Sequence, residues 1–178
     1  YKSANEQFAA LMERLWAHSL AAAYAARDIG VKLQHPDCER LYLMGLFHDI
    51  GKTLLLRGMD IVLTKLPTFT TAELNAAVQE SHTTFGGIIV QHWGMDEDFV
   101  RVAKMHNDEK FYPATQQEIL IVNLANVLTR KIGFSLFNDE ALDLPGVESA
   151  QLLGIGADAL GAVCEETVQK MHQTSNIF

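Results

Sequence analysis

The chain has 178 residues, 48% of them hydrophobic and 20% charged, with a formal net charge of −8 and a pI of about 5.3. That composition belongs to a folded chain with length for one domain and a real core, and it excludes a disordered one. The acidic balance argues against broad electrostatic binding to nucleic acid or anionic lipid, and no apolar run approaches the roughly 18 residues that span a bilayer.

Taken in chain order, the sequence reads as helices. Residues 4–29 form the first, with Phe8, Leu11, Met12, Leu15 and Leu20 mostly at helical spacings, an alanine-rich run at 21–26 and Gly30 as the stop. Asp37 caps a second helix carrying Leu41, Met44 and Leu46 inward; it reaches His48-Asp49 and breaks or bends at Gly51. A short helix at 52–57 follows, and 58–70, with Gly58, Pro67 and several threonines, reads as a loop with at most one helical turn. A long helix spans 71–92. It contains Gly86-Gly87, which cost about 1 kcal/mol each against alanine, so close packing of another helix is the expected reason for them; Trp93-Gly94 ends it.

Asp96, Glu97 and Asp98 favour the positive end of a helix running to His106. Thr115-Gln-Gln-Glu118 has the pattern of a capping box opening a helix with Ile119, Val122, Leu124 and Val127, which ends near Gly133. Residues 134–147 read as a loop and 157–173 as the last helix. No strand alternation, internal repeat or low-complexity segment occurs. The expected class is all-α, a compact multi-helix bundle rather than a heptad coiled coil, with residues 1–178 as one domain. The first residue is Tyr1, so the sequence is read as the C-terminal part of a longer protein. Cys38 and Cys164 form no CxxC and no disulfide scaffold, and no signal-peptide pattern is present; both fit a reducing cytoplasm.

The residues that composition and packing leave unexplained are His48 and Asp49, in Leu-Phe-His-Asp-Ile-Gly-Lys (46–52). An imidazole and a carboxylate side by side in an apolar segment are costly to bury without partners. A divalent metal satisfies both, and Asp49 alone also serves as a cap for the break at Gly51. His18, His82 and His106 lie on three other predicted helices, as when a site is assembled in a bundle core from facing side chains. Lys52 follows Asp49 by three residues, one helical turn away and in reach of an anion. His35, His92 and His172 read as ordinary core or surface residues.

These segments resemble the HD superfamily of metal-dependent phosphohydrolases and, more closely, the HDOD domain of bacterial signalling proteins. Leu15-Trp-Ala-His18-Ser resembles the family's first histidine helix, and Leu43-Met-Gly-Leu-Phe-His-Asp-Ile-Gly-Lys52 its HD helix. Glu80-Ser-His82 with Phe85-Gly86, Gln91-His-Trp-Gly-Met-Asp-Glu-Asp98, Ile121-Val-Asn-Leu-Ala-Asn126 and the tail Leu152-Leu-Gly-Ile155 supply the later segments in order. The resemblance implies that the amino-terminal helical half of a complete HDOD region is missing from this sequence. The resemblance implies a metal set of His18, His48, Asp49, His82, His106 and Asn126, with Asp49 bridging two positions. It gives Asp49 and Lys52 the catalytic roles of any hydrolase built this way.

Departures from the pattern shape the functional expectation. Asn126 stands where the superfamily has a late aspartate, Asn107 where the cyclic-dinucleotide phosphodiesterases have a second histidine, and Arg14 where a glutamate is expected. Phe111-Tyr112-Pro113 is not the glycine-tyrosine-proline segment of the phosphodiesterase branch. A divalent ion (iron, manganese, magnesium, zinc or nickel) is therefore expected to bind weakly or not at all. The expected function is a non-catalytic signal-transduction module with a degraded metal site, a protein partner, a nucleotide as the conceivable ligand, and neither nucleic acid nor membrane as partner. The alternatives are a metal-dependent phosphohydrolase and a purely structural hydrogen-bonded network.

Overall fold

The computed structural model describes residues 6–63 and 71–175. Among these residues there are α-helices and one 3-10 turn, and no strand. The helices are α1 (Glu6–Lys32), α2 (Cys38–Phe47), α3 (Ile50–Leu63), α4 (Thr71–His92), α5 (Glu97–Met105), α6 (Gln117–Lys131), α7 (Glu148–Leu153) and α8 (Ala157–Ser175). The 3-10 turn is Leu144–Gly146. The fold is all-α, as the periodicity predicts.

Two helices organise the core. In α6 every residue from Ile119 to Asn126 is buried, the signature of a helix surrounded on all sides. In α1 the alanines 21–23, 25 and 26 have no exposed surface, and their small side chains let α2 approach closely. A Cβ added at Gly45 would lie 2.7 Å from the Ala22 carbonyl oxygen and 2.8 Å from the Ala23 Cα, so only glycine permits this crossing. The main apolar cluster, with Ile29, Leu41, Met44, Val102, Leu124 and Leu128, lies where α1, α2, α5, α6 and α8 meet.

Several boundaries depart from the sequence reading. Gly30 does not stop α1, which continues to Lys32; its role is to leave room for Leu41 of α2. The break between α2 and α3 falls at His48-Asp49 itself, and Gly51 lies inside α3. The constraint on Gly51 is steric: a Cβ there would collide with the His82 carbonyl oxygen and lie 2.8 Å from the Gly86 nitrogen. This contact is the close packing expected from Gly86. Helix α3 runs on to Leu63 rather than ending at 57, and the remainder of the expected 58–70 loop lies outside the described residues.

Asp37 caps α2 as expected, accepting from the Arg40 N–H, and Asp96, expected only as part of an acidic cluster at the start of α5, is its N-cap, accepting from the Asp98 and Phe99 N–H groups. The capping box at 115–118 does not form. Gln116 is the N-cap with no side-chain bond, and the Thr115 hydroxyl instead accepts from the Tyr112 N–H. The short helix α7 lies between the expected loop at 134–147 and the expected last helix at 157–173, in a stretch to which the sequence reading assigns no element.

Candidate metal centre

The break between α2 and α3 turns His48 and Asp49 inward together, each with at most 1% of its surface exposed. α1 brings His18, α4 brings His82, and the end of α5 brings His106, all buried. Four imidazoles therefore surround one carboxylate. Asp49 Oδ2 lies 3.2 Å from His18 Nε2 and 3.5 Å from His48 Nε2. Oδ1 lies 3.2 Å from His106 Nε2 and 3.5 Å from His82 Nε2. Lys52, one turn along α3, donates to Oδ2 at 2.7 Å.

Backbone carbonyls fix which imidazole nitrogen faces inward. His48 Nδ1 lies 2.6 Å from the Gly45 oxygen, His82 Nδ1 2.8 Å from that of Gln79 and His106 Nδ1 3.1 Å from that of Ala103. A carbonyl only accepts, so each Nδ1 carries the proton and each Nε2 presents a lone pair. His18 follows the same rule with the Phe134 oxygen at 3.0 Å and the Thr129 hydroxyl at 3.0 Å; Thr129 uses its own proton on the Asn126 carbonyl. Anchoring of Nδ1 while Nε2 points at a shared centre is the arrangement of metal-binding histidines.

The consequence is a cluster of acceptors facing acceptors. Asp49 Oδ1, His82 Nε2 and His106 Nε2 are buried without a hydrogen-bond partner, and the His18 and His48 Nε2 atoms lie 3.2 Å apart. Buried orphans of this kind cost free energy each. Protonation does not supply the missing donors for two of the rings. Burial pushes His48 well below its ordinary pKa; burial, with the charge of Lys52, lowers His82 to about 4. Burial opposes the charge on Asp49, yet the carboxyl is held well below the usual range, with the Lys52 ammonium at 2.7 Å as the cation beside it. Imidazoles around an ionised carboxylate, two of them kept neutral by burial, form a donor set suited to a divalent cation. Two groups meet the spacing that one ion requires: His18, His48 and Asp49; and Asp49, His82 and His106.

The other sequence candidates fall nearby. Asn126 is buried and, with His18, Asp49, Lys52 and Asn107, lines a 310 Å³ cavity. Asn107 is exposed at that cavity's edge. His35 is bonded locally, accepting from the Asp37 N–H and lying 3.6 Å from Glu118, while His92 and His172 are exposed, in keeping with ordinary packing and surface roles. Sequence reasoning missed the roof of the cavity, Ser135, Leu136 and Phe137. It is tied down by Arg14, whose guanidinium donates to the Ser135 and Leu136 carbonyls at 2.9 and 3.0 Å. The residue that departs from the expected glutamate thus has a structural task. Thr129, one turn beyond Asn126, was also missed; its spacing on α6 is the signal that would have found it.

An all-helical domain with histidines from three helices converging on a histidine-aspartate doublet defines a narrow class. The HDOD domain family model matches residues 1–109, and the chain belongs to that family. It is similar in fold to the crystal structure of an HDOD domain protein of unknown function from Geobacter sulfurreducens, with a TM-score of 0.67 and 20% identity. The alignment covers 88% of this chain and 59% of that one, so the chain spans about three-fifths of that structure's length. No curated protein matches the sequence.

Proposed function

We propose that this chain is a regulatory HDOD module of a cytoplasmic signalling pathway that holds a divalent cation around Asp49 and acts through a protein partner rather than by turnover. The observation that carries the cation is the inward convergence of Asp49 Oδ1, His82 Nε2 and His106 Nε2 with no donor among them. These three atoms would hold one ion. His18, His48 and Asp49 Oδ2 would hold a second, in competition with the Lys52 ammonium at 2.7 Å. Imidazole-rich sets favour iron, zinc or nickel, with manganese also suited through the carboxylate; magnesium prefers oxygen donors and fits least.

Two features favour regulation over hydrolysis. Asn126 supplies a neutral amide at the cavity where a charged ligand is implied. The position between His82 and His106 is enclosed, since neither residue borders the cavity that reaches Asp49.

The second reading, a metal-dependent phosphohydrolase, is favoured by one observation: Lys52 and His18 open onto a cavity large enough for a small phosphorylated group. In that case the ion would supply Lewis acidity, while Lys52 would orient and neutralise an anionic oxygen. The deciding experiment is turnover of phosphodiesters and nucleotides by protein loaded with manganese or iron. The regulatory reading expects no activity above background. Activity lost in His48→Ala and Asp49→Ala would replace it with the hydrolase.

A further inference from the structure

Away from the histidine cluster, and besides the hydroxyl of Thr167 on α8, two more buried polar atoms are without a partner: the Nε of Arg130 and the hydroxyl of Ser149. Both residues border one cavity of 490 Å³ between the end of α6, the segment after α5 and the start of α7. Ser149 has no exposed surface. Among the described arginines, Arg130 is the one whose guanidinium engages nothing. Arg14 binds loop carbonyls, Arg27, Arg40 and Arg101 pair with carboxylates, and Arg57 is also partnered. Chance surface geometry does not ordinarily leave an orphaned guanidinium nitrogen and an orphaned hydroxyl on the same cavity wall.

The rest of the lining specifies the ligand. Phe111, Val127 and Val147 form an apolar wall, and Asp108, Glu109 and Glu148 bring three carboxylates. Glu148 commits one oxygen to the Phe111 N–H at 3.0 Å and keeps the other. A guanidinium fork matches a planar carboxylate in two parallel hydrogen bonds. Three carboxylates around a single cation repel a dianion and attract an ammonium group. The volume lies within the ordinary range for small-molecule sites.

We propose that this cavity is a second ligand site that takes a small zwitterion of the α-amino acid class. The ligand's carboxylate rests on Arg130 and Ser149, and its ammonium faces Asp108, Glu109 and Glu148. The site adjoins the metal-centre cavity, with which it shares Asn107, Val127 and Arg130. Asn123 on its wall donates to the His106 carbonyl at 2.9 Å. Occupancy therefore bears directly on the backbone that carries His106, although binding itself needs no metal.

The test is thermal unfolding of the full chain with individual α-amino acids at millimolar concentration, and with inorganic phosphate, each with and without a chelator. One or a few amino acids are expected to raise the midpoint by roughly 2–4 °C, with the rise retained in chelator. Calorimetric titration should show affinity at least about tenfold weaker in R130Q, and weaker in S149A, whose small change spares the fold if R130Q does not. Failure of every amino acid to shift the midpoint overturns the proposal, as does a shift unchanged in S149A and R130Q. A shift with phosphate alone also overturns it, by identifying a simple anion site.

Discussion

His18, His48, His82 and His106 owe their chemistry to the backbone oxygens that hold their Nδ1 atoms. The doublet and its partner histidines are legible in the sequence because buried polar residues in apolar helices need a reason. Which nitrogen faces inward is not legible, because it depends on carbonyls of Gly45, Gln79 and Ala103 one turn back and of Phe134 in a distant loop. The lowered pKa of His82, about 4, has a thermodynamic consequence. The unfolded imidazole binds a proton near pH 6.5 and the folded one does not, so stability present above pH 6.5 is lost as pH falls from 6.5 toward 4. His82 alone contributes a loss of about 3 kcal/mol across that window, with His48 acting in the same direction. Urea unfolding of the metal-free protein at pH 7.5 and pH 4.5 should show this loss, and equal stabilities would remove the neutral-imidazole assignment. Asn126→Asp adds a charge at the cavity wall and is expected to tighten zinc or manganese binding by about tenfold or more, read by competition with a chromogenic chelator. An unchanged affinity would place residue 126 outside the coordination sphere.

At the scale of elements, the site depends on how closely α3 and α4 approach. Gly51→Ala is expected to destabilise the protein by about 2 kcal/mol or more, because the added methyl meets the backbone of His82 and Gly86 rather than a movable side chain. Metal affinity should fall with it, since the same turn of α4 carries His82; a denaturant midpoint like that of the wild type would refute the contact. Arg14→Ala should leave global stability nearly unchanged while raising amide hydrogen exchange in residues 134–138, the roof it secures through two carbonyls. The long helices α1, α4 and α6 are readable from periodicity because each repeats its apolar pattern over many turns. Helix α3 is less so: it starts directly after the doublet, and Gly51 and Gly58 resemble breakers when the partner that requires Gly51 is out of sight. The capping box at 115–118 fails because α6 opens one residue later, at Gln116, and the Thr115 hydroxyl accepts from the Tyr112 N–H. Helix α7 escapes because six residues hold too few turns to show a period.

For the molecule as a whole, α1 and α6 are the scaffold against which the other helices place single histidines. No helix among the described residues is long and apolar enough to cross a membrane. The resemblance read from the ordered histidine segments is matched by the family, and the all-helical bundle by the structure. The cluster is better ordered than the two asparagines lead one to expect, because the five residues that converge, His18, His48, Asp49, His82 and His106, include neither. The central claim is that this buried cluster of acceptors holds a cation. Elemental analysis of the purified protein, after exposure to manganese or zinc and removal of free metal, tests it most directly. The account predicts about one or more ions per chain in the wild type and a marked loss in His106→Ala with helical content retained. A wild-type protein that carries no metal after that exposure would contradict it.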